Sequence, residues 1–207
     1  MIERHAVPEI DGLPGLGALD PRQREMVDAA TSEVQLRSKR WLIEQVDDLG
    51  WFDDALVLVL GGWCGILPLL MYRESRSVTE QVVSIDLDAD ACVTGKRALA
   101  GDVPGLSFVC ANVLDIDYAR LSRRRRVVVV NTICEHLAAA DFVAWRKLLP
   151  RGQAVVLQSN DYRGCGDHVN CVDSVHELAR HAHLAEIAAA DSLDLGLFTR
   201  FMVAGRS

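Results

Sequence analysis

The chain alternates unbroken apolar runs with segments whose apolar residues recur at helical spacing. Leu56-Val57-Leu58-Val59-Leu60 has no polar position, the pattern of a central parallel strand covered on both faces. Gly61, Gly62 and Gly65 end it, residues 66–72 suit a short crossover helix, and Val82-Val83-Ser84-Ile85 forms the next strand, closed by Asp86 and Asp88. The same reading predicts a helix over 89–100, a turn over 101–105, a third strand over 106–110 and a fourth at Val127-Val128-Val129-Val130. A helix carrying Phe142, Trp145 and Leu148 then stops at Pro150 and Gly152, a fifth strand spans 154–158, and a helix spans 172–183. Two strands, 184–190 and 198–204, close the chain as a hairpin, since no crossover helix fits between them. The order predicts an α/β fold with a doubly wound sheet, mostly parallel with an antiparallel C-terminal strand, and ligands at the carboxyl ends of the strands.

Ahead of this sheet, residues 1–20 are rich in Gly and Pro (Pro8, Gly12, Pro14, Gly15, Gly17) and read as an irregular arm. Asp20 is the expected N-cap of a helix with Pro21 at its first position. Met26, Ala29, Ala30, Val34, Trp41, Leu42 and Val46 continue at helical spacing, compatible with two consecutive helices ending at Gly50. Residues 1–50 thus form an arm and helical cap, and 51–207 the ligand-binding domain. The cap reads either as a lid over a site or as plain packing on the sheet.

Composition narrows the function. With 207 residues, 50% hydrophobic and 25% charged, the chain suits one globular core. Its net charge of −7 argues against broad binding to a phosphate backbone, so a small metabolite is expected rather than nucleic acid. No apolar run approaches the ~18 residues of a membrane span, and the N-terminus does not open a secretory signal. A cytoplasmic protein, with no membrane partner, is the expectation. The six cysteines are scattered, several in apolar strands such as Cys110, which favours free buried thiols over a disulfide framework. Arg123 to Arg126 read as a solvated edge in preference to an anion site.

A βαβ unit of this kind offers backbone N–H groups at its glycine turn and an acid to ribose hydroxyls about 20 residues later. A nucleoside-bearing small molecule is the expected guest. Asp86 is assigned as that acid and Asp88 as a surface acid, with the reverse left open. Asn112 either reads an adenine edge, as an amide that donates and accepts, or satisfies turn backbone.

From about Trp41 to the C-terminus the chain resembles the class I S-adenosylmethionine-dependent methyltransferase superfamily, small-molecule type. Residues 58–65 match its glycine motif, Asp86 its ribose acid, and Asn112-Val113 its adenine-side position. Glu135-His136-Leu137, Trp145, Leu148-Leu149-Pro150-Arg151-Gly152 and Val155-Val156-Leu157 resemble its "EHL … LxPGG … lvl" pattern, and the closing hairpin resembles its last two strands. The resemblance implies a Rossmann-like sheet and S-adenosyl-L-methionine as cofactor. It implies cofactor contacts from Gly61, Gly62, Trp63, Gly65, Asp86, Leu87, Asn112, Val113 and Asn131, and methyl transfer to a small polar metabolite.

Two positions depart from that pattern. Val59 replaces the acid that helps hold the methionyl ammonium, and Trp63 replaces the middle glycine. Asn131 could partly replace the acid. Trp63 reads either as a ring stacked on the sulfonium or adenine, or as packing under the N-terminal segment. Glu135, His136, Tyr162 and His168 are the candidate catalytic residues. Imidazole suits proton removal at neutral pH, but recurrence of Glu-His-Leu among relatives with different acceptors favours a scaffold or cofactor-side role for that pair. The polar loop 158–171 contributes Asn160, Tyr162, His168 and Asn170 to acceptor recognition. Arg200 is a further candidate, for an acceptor carboxylate, or else a surface salt bridge. Cys165, His168 and Cys171, with His176, approach zinc-like spacing, but short metal motifs come as two separated pairs, so no metal is assigned. Two other readings stay open: a different use of the cofactor, by aminocarboxypropyl transfer or cyclisation releasing 5′-methylthioadenosine, and a nucleotide-binding module without turnover. A homodimer is also left open.

Overall fold

The computed structural model describes residues 12–76, 81–99 and 103–207. The arm up to residue 11, with Pro8, and the start of the turn expected at 101–105 lie outside the described residues. Pro14–Ala18 is a 3-10 turn rather than irregular chain. It approaches a later helix so closely that a Cβ on Gly15 would stand 1.9 Å from the Arg97 carbonyl oxygen.

Helix α1 (Pro21–Ala30) begins where expected. Asp20 Oδ1 accepts from the Gln23 N–H (2.9 Å) while Gln23 Oε1 accepts from the Asp20 N–H (3.3 Å), so two otherwise orphaned donors are satisfied. Helix α2 (Glu33–Asp48) buries Ser38, Trp41, Leu42, Ile43 and Val46. Then follow β1 (Leu56–Leu60), α3 (Ile66–Glu74), β2 (Gln81–Asp86), α4 (Ala89–Leu99), β3 (Leu106–Cys110), α5 (Tyr118–Ser122) and β4 (Val127–Asn131). The chain ends with α6 (Ala139–Lys147), β5 (Ala154–Asn160), α7 (Val175–Ala182), β6 (Glu186–Asp194) and β7 (Thr199–Arg206).

The strands form one sheet in the order β3-β2-β1-β4-β5-β7-β6. β1 to β5 are parallel, and β7 runs antiparallel to β5 and β6. Alternation along β1 explains its unbroken apolar run. Val57 and Val59 join Leu42 of α2, Leu69 of α3 and Leu99 of α4 on one face. Leu56, Leu58 and Leu60 join Tyr118 of α5, Trp145 of α6 and Ala182 of α7 on the other. Because both faces are covered, either parity of the strand needs an apolar residue.

Several boundaries differ from the sequence reading. β6 continues to Asp194, through the polar stretch taken for the hairpin loop, and the true turn closes with the Leu195 N–H on the Phe198 oxygen (3.0 Å). β6 is an exposed edge strand, so Asp191, Ser192 and Asp194 meet water without leaving the ladder. The last helix starts only at Val175, where Ser174 accepts from the Glu177 N–H (3.2 Å). Helix α5, five residues long, is too short to show a periodic pattern. Arg123 to Arg126 are exposed at the amino ends of the strands, with Arg126 Nη2 donating to the Gly50 oxygen (3.1 Å), as the solvated-edge reading requires. All six cysteines are free, but Cys110 is exposed rather than buried, because β3 is the opposite sheet edge. Among the described residues no helix is long and apolar enough to cross a membrane.

Candidate functional site

A cavity of about 710 Å³ opens at the carboxyl ends of β1, β2, β4 and β5, a volume typical of small-molecule sites. Its floor is the turn after β1. Gly61 (φ 69°) and Gly65 (φ 83°) occupy the left-handed region, and a Cβ on Gly61 or Gly62 would stand 1.9 Å from Ile133 or 2.1 Å from Ser84 Oγ. These glycines let the turn sink between β2 and the loop after β4. Their N–H groups, expected to face a ligand, are instead engaged inside the protein: Gly61 and Gly62 donate to the Ile85 oxygen (2.9 and 3.1 Å) and Gly65 to the Gly62 oxygen (2.8 Å).

Trp63 keeps the conformation that a glycine would favour (φ 49°). Its ring packs against the core, as the packing reading expects, and also lines the cavity. Its N–H donates to Asp86 Oδ2 (2.8 Å), and Asp86 Oδ1 accepts from the Asp88 N–H (3.0 Å). The Asp86 carboxylate is thereby held at the cavity wall with lone pairs to spare. Asp88 Oδ1 caps α4 by accepting from the Asp90 N–H (2.8 Å), while Asp88 also borders the cavity. Leu87 is 70% exposed beside Asp86, an apolar shelf at the rim. Asn112 Oδ1 accepts from the Leu114 N–H (2.9 Å) at the 3-10 turn Val113–Asp115, which leaves the amide Nδ2 to present to a base. Val113 is buried in the core and also borders the cavity.

Three expected residues, Gly65, Asn131 and Asn170, lie off the cavity wall, Gly65 because its open side faces Phe108 and Leu99. Asn131 is fully buried; its Oδ1, expected near an ammonium, accepts from the Ile133 N–H (3.0 Å). The reason is strand parity: Val127 and Val129 face the α5–α6 side, and Asn131 continues that side. Asn170 ties the polar loop down, donating from Nδ2 to the Cys134 oxygen (3.2 Å) while its own N–H donates to the Glu135 oxygen (2.9 Å).

The far wall is a network around Glu135, which is 2% exposed. Its Oε1 accepts from Asn160 Nδ2 (2.7 Å) and from Arg200 Nη1, and Arg200 Nη2 donates to the Thr132 oxygen (3.1 Å). Arg200 is therefore neither a surface salt bridge nor a free cation, but half of a buried ion pair. His168 Nδ1 lies 2.7 Å from the Tyr162 oxygen, and His136 Nδ1 lies 3.2 Å from Asp167 Oδ2. The two imidazoles meet edge to face at 4.6 Å, and Tyr162 stacks at a tilt on Phe198 (5.7 Å). The Cys-x2-His-x2-Cys spacing does not assemble: the Cys171 thiol turns to the Tyr162 oxygen (3.5 Å).

Sequence reasoning missed Lys39 and Gln158. Lys39 descends from α2 into the cavity beside Ser38 and Gln35, and its Nζ donates to Gln35 Oε1 (2.5 Å). Burial, and then the nearby Arg200 charge, push its ammonium down to about 7. The signal was present in α2: Gln35, Ser38, Lys39, Leu42 and Val46 share one stripe, and three polar residues interrupt it. Gln158 is buried on β5 at the cavity wall, and its Nε2 has no partner among the described residues.

Lys39 yields a stability prediction with a defined sign. Its proton is held more weakly in the folded chain (about 7) than in the unfolded one (10.5), so folding is penalised wherever the unfolded chain is protonated. Lys39→Met should stabilise the protein by roughly 2 kcal/mol after allowance for solvent in the cavity. The gain should be full below pH 7 and fade between pH 7 and 10.5. Urea melts across that range check it; a pH-independent difference would contradict it.

No protein-family model and no curated protein matches this sequence. Solved structures do match in fold. The N-methyltransferase NodS from Bradyrhizobium japonicum WM9 in complex with S-adenosyl-L-homocysteine superposes with a TM-score of 0.63 at 11% identity, over 93% of this chain and 98% of that one. Magnesium protoporphyrin IX methyltransferase from Synechocystis PCC 6803 with bound SAM gives 0.59 at 12%, over 85% and 84%. A geranyl diphosphate methyltransferase in complex with GPP and sinefungin gives 0.60 at 15%, over 92% and 84%. The sheet and its closing hairpin are thus those of the class I methyltransferase fold.

Proposed function

We propose that this chain binds S-adenosylmethionine at the carboxyl ends of β1 and β2 and uses it to methylate a small polar acceptor. The observation that carries the reading is Asp86, a carboxylate fixed by two backbone N–H groups at the wall of the cavity, in a fold shared with structures that hold this nucleoside's product. The donor set fits the cofactor. Asp86 would take the ribose hydroxyls, Asn112 Nδ2 and Leu87 the adenine, and the unpartnered Gln158 Nε2 the methionyl carboxylate. Bound there, the cofactor supplies an electrophilic methyl group on a sulfonium.

The chain's own part is alignment and proton removal. Transfer by in-line displacement needs the acceptor lone pair held opposite the leaving sulfur, and the polar wall of Asn160, Tyr162 and His168 supports that role. Lys39, uncharged above about pH 7, and the imidazoles of His136 and His168 are the groups able to take the acceptor's proton. A polar, enclosed acceptor side also favours turnover over mere nucleotide binding. The protein is read as a cytoplasmic enzyme whose acceptor is a metabolite rather than nucleic acid.

One observation favours a second use of the same cofactor. Val59 is buried in the core, so β1 offers no carboxylate to the methionyl ammonium, and the single Thr132 hydroxyl hydrogen is shared between the Leu60 and Gly61 oxygens. This departure at the methionyl end supports chemistry at the aminocarboxypropyl group as the second reading. Mass analysis of the nucleoside formed from S-adenosylmethionine in the presence of a polar metabolite mixture separates the two. S-adenosylhomocysteine is the expected product; 5′-methylthioadenosine would replace methyl transfer by the second reading.

A further inference from the structure

We infer that Glu135, His136 and His168 form a binding site for a divalent first-row transition-metal ion. One ligand atom from each lies within 4.8 Å of the others. The two histidines are already set for the task by their second nitrogens. A carbonyl oxygen can only accept, so His168 Nδ1, 2.7 Å from the Tyr162 oxygen, carries the hydrogen and leaves the Nε2 lone pair free. His136 Nδ1 meets the Asp167 carboxylate at 3.2 Å, with the same consequence. Carboxylate and carbonyl partners behind the imidazoles are the usual outer support of metal-binding histidines.

Glu135 adds the independent observation. Its Oε1 is taken by Asn160 and Arg200, yet Oε2 is buried with no hydrogen-bond partner among the described residues. A buried carboxylate oxygen left so is costly and calls for a ligand. A cation at that position would satisfy it, and Asn160 and Arg200 would hold the carboxylate in place.

A neighbouring combination, Cys165, Asp167 and His168, is the weaker candidate. The Cys165 thiol is already engaged as a donor to Asp167 Oδ1 (2.8 Å). Asp167 is better used behind His136. Two imidazoles and one carboxylate suit Mn²⁺, Fe²⁺, Co²⁺ or Zn²⁺ and leave coordination positions open. Resting on the methyl-transfer reading, those positions would take an oxygen of the acceptor, whose hydroxyl would lose its proton more readily on the ion, to Lys39 of the same cavity in place of the two ligating imidazoles.

The test uses the purified full chain. Addition of Co²⁺ should produce a visible d–d absorption that saturates at one ion per chain, and Zn²⁺ should displace it. His136→Ala and His168→Ala should each weaken binding by at least about tenfold, whereas Cys171→Ser and His176→Ala should not. Circular dichroism of each variant confirms folding, and His168, on a partly exposed loop, is the substitution least disruptive to the core. Absence of stoichiometric binding at about 0.1 mM ion, or unchanged binding by His168→Ala, would overturn the site. Titration of the same samples with S-adenosylmethionine keeps the two readings apart. Cofactor binding without metal binding refutes only the metal site, and metal binding without cofactor binding refutes only the proposed function.

Discussion

Glu135→Ala is expected to abolish turnover and to destabilise the fold by about 3–5 kcal/mol, the cost of stranding one half of a buried ion pair. Arg200 would keep its charge with a side chain only 13% exposed and would lose the carboxylate that receives Nη1. Asn160 would lose its acceptor as well. The Val169 and Asn170 N–H bonds go to the Glu135 main-chain oxygen, so the loop stays attached, and the loss is specific to the side chain. The double substitution Glu135→Leu, Arg200→Met removes both charges together and should recover most of the stability without any activity. Denaturant melts with product assays measure both quantities. A stable and active Glu135→Ala protein would remove this network from the account.

Asp86→Ala should weaken S-adenosylmethionine binding by roughly 100-fold or more. Two hydroxyl bonds to a carboxylate contribute about 1.5–3 kcal/mol each, and 1.4 kcal/mol is tenfold in affinity. The substitution also frees the Trp63 and Asp88 N–H groups, so the turn should loosen and stability should fall by about 1 kcal/mol. Asp88→Ala is the control. It removes the cap of α4, with a similar stability loss, and should leave the affinity within a factor of about two.

The fold was legible because the apolar runs of β1, β4 and β5 are buried on both faces and could not be much else. Legibility ended at solvent-facing elements. β6 exposes most of its residues, so its polar positions imitated a loop. For the site, the strand-end positions of Asp86, Glu135 and Asn160 followed from topology, but side-chain direction did not. Asn131 stands at the same strand end and faces the core side. Arg200 gave no local sign of burial, since its partner Glu135 is 65 residues away in sequence. Lys39 was readable only as a polar break in the apolar stripe of α2, a stripe that fits a lid and a packing helix equally. Gln35, Ser38 and Lys39 of α2 line the cavity.

Calorimetric titration of the full chain with S-adenosylmethionine tests the central claim most directly. The account predicts one site per chain in the wild-type protein, with the heat lost in Asp86→Ala and retained in Asp88→Ala. No binding to the wild-type chain, or equal binding by Asp86→Ala, would contradict it.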